Sequence, residues 1–395
     1  MTDDTPSTLA QRAGILVLLW FTGLYLRVPI LVAPPLAPAI AGDLSLSQTG
    51  IGALTTLPVL MLAAGAIPGA YAIARLGARR TLVIAVLLVA AGSAARGLAP
   101  PTAILFAATV LLGLGVAAMQ PALPAILPLW CPGFVGLGSA VYMNGMLMGE
   151  FIGAGLTLPV VMPLSGGSWR LTLLLWSLPA VLIAIALTRP ASVRVSASRE
   201  SRWGPDWRDS QVWRLGLLLG SASTVFFGTN AYMGSILERR DTLDRLPETL
   251  FLFNLSQVLA SLAMLALTRH LLARRGPIIA SGLLCVAGLA AFVWLDGWAA
   301  MAGVFAVGFA SAVQLILLVS LPPQIADAAT AGRLSAGMFT LGYAAAFGVP
   351  LIGGLTADLA GDVLTALIPI GAYALLATGL APGLRLRIRP RTATA

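Results

Sequence analysis

Apolar stretches of about 20 residues or more follow one another from Ala13 to Gly383, separated by short polar or basic punctuation. A helix rises ~1.5 Å per residue and needs roughly 20 such residues to cross a hydrocarbon layer about 30 Å thick. The pattern therefore predicts transmembrane helices, at 13–40, 49–75, 80–99, 102–129, 135–162, 169–188, 213–237, 248–268, 277–295, 299–321, 332–357 and 362–383. The runs are continuous, whereas the strands of a membrane β-barrel alternate in polarity. The fold class expected is an all-α polytopic membrane protein with twelve transmembrane helices.

Composition agrees, since hydrophobic residues make up 58% of the chain and charged ones 10%, with a mean hydropathy of +0.92. The longest polar stretch, from about Thr188 to Gln211, leaves no room for a soluble catalytic domain. The leader MTDDTPSTLAQR is acidic and the run after it outlasts a secretory h-region, so the first span is expected to be retained. Cys131 and Cys285 have neither metal spacing nor a disulfide framework, and the single histidine, His270, lies in an arginine-rich loop. No metal or other cofactor is expected.

The net charge of +9 changes the picture through its placement. With the N-terminus inside, eighteen arginines fall in or beside segments on the cytoplasmic side and five, including Arg96, on the other. By the positive-inside rule both termini are cytoplasmic, in an inner (plasma) membrane. The charge is thus a topology signal and no nucleic-acid partner is expected.

The polar segment in the middle predicts two six-helix halves, 1–190 and 213–395, joined by a cytoplasmic linker, 191–212. Ala78-Arg79-Arg80 and Ala273-Arg274-Arg275 each close a short basic loop after an even-numbered span, and Ser139-Ala140 and Ser335-Ala336 lie near the start of the fifth and eleventh spans at nearly the same separation. Two parallel halves of this kind build many secondary transporters.

At this point the chain resembles the major facilitator superfamily. The segment GAYAIARLGARR carries Gly69, Arg75, Gly77, Arg79 and Arg80 in the order of that superfamily's loop between spans two and three, with alanine where the acidic residue usually stands. Gly69 suits close helix approach, and the arginines suit helix ends and lipid phosphates. A branch resemblance, to cyanate and nitroimidazole transporters, rests on Leu26-Arg27 with the prolines after it, on LSLSQTGIGALTTLPVLMLAAGA, and on Gly342-Tyr343, Pro350, Gly353 and Asp358. It implies the major facilitator fold and a small solute as cargo.

Arg27 lies fourteen residues past Ala13, about 21 Å into the bilayer, where a cation costs several kcal/mol unless it has a partner or a task. Its planar fork of donors suits a small anion, and a structural ion pair is the alternative reading. Glu150, at matching depth in the fifth span, is its natural partner: a neighbouring cation favours the carboxylate and desolvation favours the acid, so Glu150 is a proton-coupling candidate or else half of a permanent lock. Gln120 in span four, Asn144 in span five, Asn230 and Tyr232 in span seven, Asn254 and Gln257 in span eight, Gln314 in span ten and Tyr343 in span eleven all interrupt apolar sequence. Singly, each is more often helix glue than ligand. Together with Arg27, and leaving Asn144 aside, they make the expected substrate-binding set.

Gly145, Gly149, Gly153 and Gly155 give span five a small-residue face, and Pro121, Pro124 and Pro128 bend span four. The chain has no GxxxxGK[ST] loop and no lysine, so ATP does not drive it from within this polypeptide. The function expected is secondary transport of a small anionic or polar solute, with protons as a possible co-substrate and the monomer as the working unit. Drug or metabolite efflux, or a non-transporting membrane sensor, are the alternatives. No constellation of catalytic groups reaches a span interior, so the chain is not expected to be an enzyme.

Overall fold

The computed structural model describes residues 9–98, 101–132, 134–188, 205–271, 274–326 and 328–386, so much of the linker, 189–204, lies outside the described residues. The chain is helical throughout them. In order come α1 (Leu9–Leu24), α2 (Val28–Leu31), α3 (Ala33–Leu44), α4 (Gln48–Leu76), α5 (Ala78–Leu98) and α6 (Thr102–Trp130). Next are α7 (Val135–Gly155), α8 (Met162–Leu164), α9 (Trp169–Leu187), α10 (Ser210–Arg239) and α11 (Leu246–Leu271), whose last turn takes in His270. The series closes with α12 (Arg275–Trp294), α13 (Gly297–Val319), α14 (Pro322–Ile325), α15 (Ala328–Ala360) and α16 (Leu367–Thr378).

Among the described residues ten segments are long and apolar enough to cross a membrane, and the bent pair Leu137–Gly155 with Thr157–Leu164, turned by 56° at a π-helical stretch, makes an eleventh. α10, 30 residues long, is long enough but falls short of that apolarity, and with it the helices fit a count of twelve. Its lower apolarity has a visible cause, because Ser221, Ser223, Thr224, Thr229 and Asn230 are buried in protein and not turned to lipid.

The first span is one apolar stretch of 36 residues, Leu9–Leu44, too long for a straight crossing. It is broken at Tyr25–Arg27, where Leu26 and Arg27 donate to the carbonyls of Gly23 and Leu24, three residues back. Pro29, Pro34 and Pro35 have no N–H to give, so the helix restarts as α2 and then α3.

Packing divides the chain into two compact units. One is Met1–Val32, Ala64–Gly153 and Val160–Ala197; the other is Ala33–Ala63, Ala154–Pro159 and Ser198–Ala395. In the first, α5 lies against α6 and α9. Its glycines let backbones touch: a Cβ on Gly92 would lie 2.7 Å from the Leu112 nitrogen, and one on Gly115 2.7 Å from the Ala85 oxygen. In the same unit α1 and α7 meet backbone to backbone, since a Cβ on Gly145 would lie 2.2 Å from the Trp20 carbonyl oxygen and one on Gly149 2.2 Å from that of Leu24. Trp20 also donates its indole N–H to Asn144 Oδ1 at 2.9 Å.

In the second unit α10 packs against α15, α16 and α13, and α12 against α13. Asp358, near the end of α15, caps α4: Oδ1 accepts from the Gln48 N–H at 2.8 Å, and Oδ2 from the Thr49 N–H at 2.9 Å and the Thr49 hydroxyl at 2.5 Å. A carboxylate there meets unpaired N–H groups and the positive end of the helix dipole. Beside it Tyr232 donates its hydroxyl to the Pro350 carbonyl at 2.6 Å, against Gly52 and Gly354.

Two contacts recur in the two units at offsets of 195 to 196 positions. Arg79 donates to the carbonyls of Leu187 and Thr188 at the end of α9, and Arg275 donates to that of Leu384 after α16. Gly92 against Leu112 is echoed by Gly288, where a Cβ would lie 2.8 Å from the Gly303 carbonyl and 3.1 Å from the Val307 nitrogen.

Candidate functional site

The break in the first span leaves Arg27 just before α2, with φ −124° and ψ −39°. The chain around it is fastened to the rest of the first unit. Tyr25 donates its hydroxyl to the Trp176 carbonyl at 2.9 Å, and Arg96 donates Nη2 to the Pro29 carbonyl at 2.8 Å. A short non-helical stretch within membrane depth is tolerable because protein side chains take up its freed backbone groups.

Arg27 and Glu150 are both 4% exposed, and Arg27 Nε lies 3.0 Å from Glu150 Oε1. Glu150 sits on α7 one residue past Gly149, so the close α1–α7 approach brings the two together. The other carboxylate oxygen, Oε2, is buried without a hydrogen-bond partner. Burying this pair costs much of what its attraction returns, and removing one partner alone is expected to cost about 3–5 kcal/mol. What the arrangement offers chemically is a guanidinium fork and a carboxylate oxygen open to a proton. Gln120, on α6 of the same unit, is half-buried.

In the second unit the structure brings Asn230 and Asn254 together, with Asn254 Nδ2 donating to Asn230 Oδ1 at 3.4 Å and to the Leu250 carbonyl at 2.9 Å. Asn254 Oδ1, Gln257 Nε2 and both amide atoms of Gln314 are buried with no hydrogen-bond partner. An unsatisfied amide in an apolar interior costs roughly 1–3 kcal/mol, so these atoms are groups for which a polar guest would supply bonds. Tyr232 stands apart from the asparagines, its hydroxyl committed to Pro350. Tyr343 is buried and stacked on Phe339, ring centroids 5.7 Å apart.

The basic loop behaves as helix ends require. Gly77, at φ +82°, takes the left-handed turn between α4 and α5. A Cβ on Gly69 would lie 3.1 Å from Pro121 and 3.3 Å from the Ala118 Cα, a close helix contact. Arg75 stacks on Tyr71 at 4.8 Å, Arg79 caps α9, and Arg80 is exposed.

Arg96 is the residue that sequence reading missed. Counted there only as a span-end charge of the non-cytoplasmic side, it lies in the last turn of α5 and is 1% exposed. Within a turn of a helix end a long side chain can snorkel outward or fold inward, and sequence does not decide between them. The small residues Gly92, Ser93 and Gly97 on the same helix were the available signal, since they draw α5 close to its neighbours.

The fold and these buried charges define a multi-pass helical membrane protein with a polar interior of the kind that moves solutes. The Major Facilitator Superfamily pattern matches residues 19–350, and the chain belongs to that superfamily of transporters. It is 27% identical over 362 residues to the cyanate transport protein CynX of Escherichia coli strain K12, covering 89% of this chain and 91% of that one. It is 29% identical over 386 residues to the 2-nitroimidazole transporter of the same strain, covering 95% and 96%. Among solved structures it is similar in fold to a bacterial homologue of the human lysosomal transporter Spinster, with a TM-score of 0.81 at 16% identity, covering 98% of this chain and 100% of that one. The xylose transporter XylE of E. coli, in an inward-open conformation, gives 0.74 at 15% identity, covering 97% and 98%.

Proposed function

We propose that this chain is a secondary active transporter of a small anionic or polar solute, of the size and polarity of cyanate or a nitroimidazole, coupled to protons through Glu150. The observation that carries the reading is the buried Arg27–Glu150 pair at the break of the first span. Protonation of Glu150 removes the charge that holds Arg27, and the freed guanidinium then takes the substrate, so proton and solute bind together. Gln120, Asn230, Asn254, Gln257, Gln314 and Tyr343 complete the substrate-binding set, while Tyr232, its hydroxyl committed to Pro350, drops out of it. The halves 1–190 and 213–395 alternate in access about the linker 191–212, with both termini cytoplasmic and the basic loop of Gly69, Arg75, Gly77, Arg79 and Arg80 in the gating motion.

The test is transport in proteoliposomes with cyanate and 2-nitroimidazole as probes. Glu150→Gln is expected to abolish accumulation driven by a pH gradient yet keep exchange between equal concentrations, since exchange needs no net proton movement. Accumulation at the native rate in this variant would remove Glu150 from the coupling role. Loss of both activities would make the pair a structural lock.

A further inference from the structure

Three charged side chains are buried among the described residues: Arg27, Arg96 and Glu150. Glu150 meets Arg27, which leaves Arg96 as a second cation with no anion against it. Its one hydrogen bond goes to the Pro29 carbonyl, while Nε and Nη1 have no hydrogen-bond partner. A carbonyl and the C-terminal end of α5 offer partial charge only. Arg96 also stands two residues from the end of α5, where a snorkelling rotamer would carry the head group to water, and yet it is turned inward. With Glu150 ionised, the buried charge of the first unit therefore sums to one positive; with Glu150 protonated it sums to two.

We propose that Arg96 is a specificity-determining charge: it makes the cargo of this chain a small anion and disfavours a neutral compound of similar size. The inference rests on the transport reading and narrows it. An unbalanced charge in a low-dielectric interior is stabilised by any anion brought near it, and Coulomb attraction over roughly 10 Å inside protein amounts to about a tenfold gain in affinity. The hydrogen bond to Pro29 ties Arg96 to the backbone two residues beyond Arg27, so it acts on the same place without having to touch the cargo. The competing role is a peg that only holds the Pro29 carbonyl.

Charge and peg separate in two variants. Arg96→Gln keeps an N–H donor for Pro29 and drops the charge; Arg96→Lys keeps the charge and loses the fork. In proteoliposomes, at a pH low enough to keep the ring N–H of 2-nitroimidazole protonated and the compound neutral, the KM for cyanate is expected to rise about tenfold in Arg96→Gln with the maximal rate unchanged, to stay within about threefold of native in Arg96→Lys, and the exchange of 2-nitroimidazole is expected to be unaffected by either. A native KM in Arg96→Gln, or equal weakening for both probes, overturns the proposal and leaves the peg. Thermal shift of the folded wild type with cyanate and with 2-nitroimidazole serves if Arg96→Gln does not fold or if the wild type transports neither probe. Stronger stabilisation by the anion is the expected result, and stronger stabilisation by the neutral compound, or none by the anion, overturns it. Absence of transport with anion stabilisation retained would instead discard the transport reading alone.

Discussion

At the scale of single residues, the pair Arg27–Glu150 ties chemistry to geometry most directly. Arg27→Lys keeps the sign of the charge but loses the planar fork, and it is expected to lower transport at least tenfold while leaving membrane insertion intact, as read by uptake beside detergent-resistant folding. Arg27→Ala alone should unfold more readily than the double change Arg27→Ala with Glu150→Ala, because the single change strands a buried carboxylate. Equal melting temperatures for single and double variants would argue that the pair is solvated in the working protein. Both residues were legible in the sequence, since depth in an apolar run is a matter of counting and few charges survive there. Arg96 was not, because near a helix end the same count permits two opposite side-chain directions. The amides were legible as polar interruptions, but the commitment of Tyr232 to Pro350 depends on Gly52 and Gly354 arriving from other helices, which no local pattern encodes.

At the scale of helices, boundaries followed from hydropathy to within a few residues, and departures came where tertiary contacts took over. The first span was expected as a proline-rich helix and is three pieces, broken where Leu26 and Arg27 bond three residues back and where the prolines have no N–H to give, with Arg96 holding the Pro29 carbonyl. The seventh span, α10, reads as less apolar than its neighbours because protein surrounds it nearly throughout. Asp358 was legible as a motif residue, while its partner, the first turn of α4, lies some three hundred positions away in the chain. Asp358→Ala is expected to fray that turn: hydrogen exchange at the Gln48 to Gly50 amides should quicken about fivefold, with the middle of α4 unchanged. Uniform quickening along α4 would mean that the cap supports the whole helix and not its first turn.

At the scale of the whole molecule, the twelve-span pattern and the superfamily were readable because the bilayer fixes both the length and the composition of each crossing. Arg79 and Arg275 make the same kind of contact in the two compact units, each donating to a carbonyl at the end of a later helix. Charge breaks the repeat, since at an offset of 196 positions the counterparts of Arg27, Glu150 and Arg96 are Ser223, Ala346 and Phe292. Leaving Arg96 out of the count still leaves a strong arginine bias for cytoplasmic termini. A cysteine placed at Asp206, an exposed linker residue, should resist an impermeant maleimide in intact cells and react once the membrane is opened. The native thiols Cys131 and Cys285 are buried and should give little background. Prompt labelling in intact cells would reverse the topology.

The glycine seam between α1 and α7 bears on time. With Gly145 and Gly149 set directly against carbonyls of α1, neither helix has slack to slide past the other, so the backbone distance between Arg27 and Glu150 is fixed. Any exchange of partners must then come from proton transfer and from side-chain rotation, the latter an event of picoseconds to nanoseconds once the site is wet, and not from α1 sliding past α7. The pair can therefore open and re-form without waiting for the slower body of the protein to move.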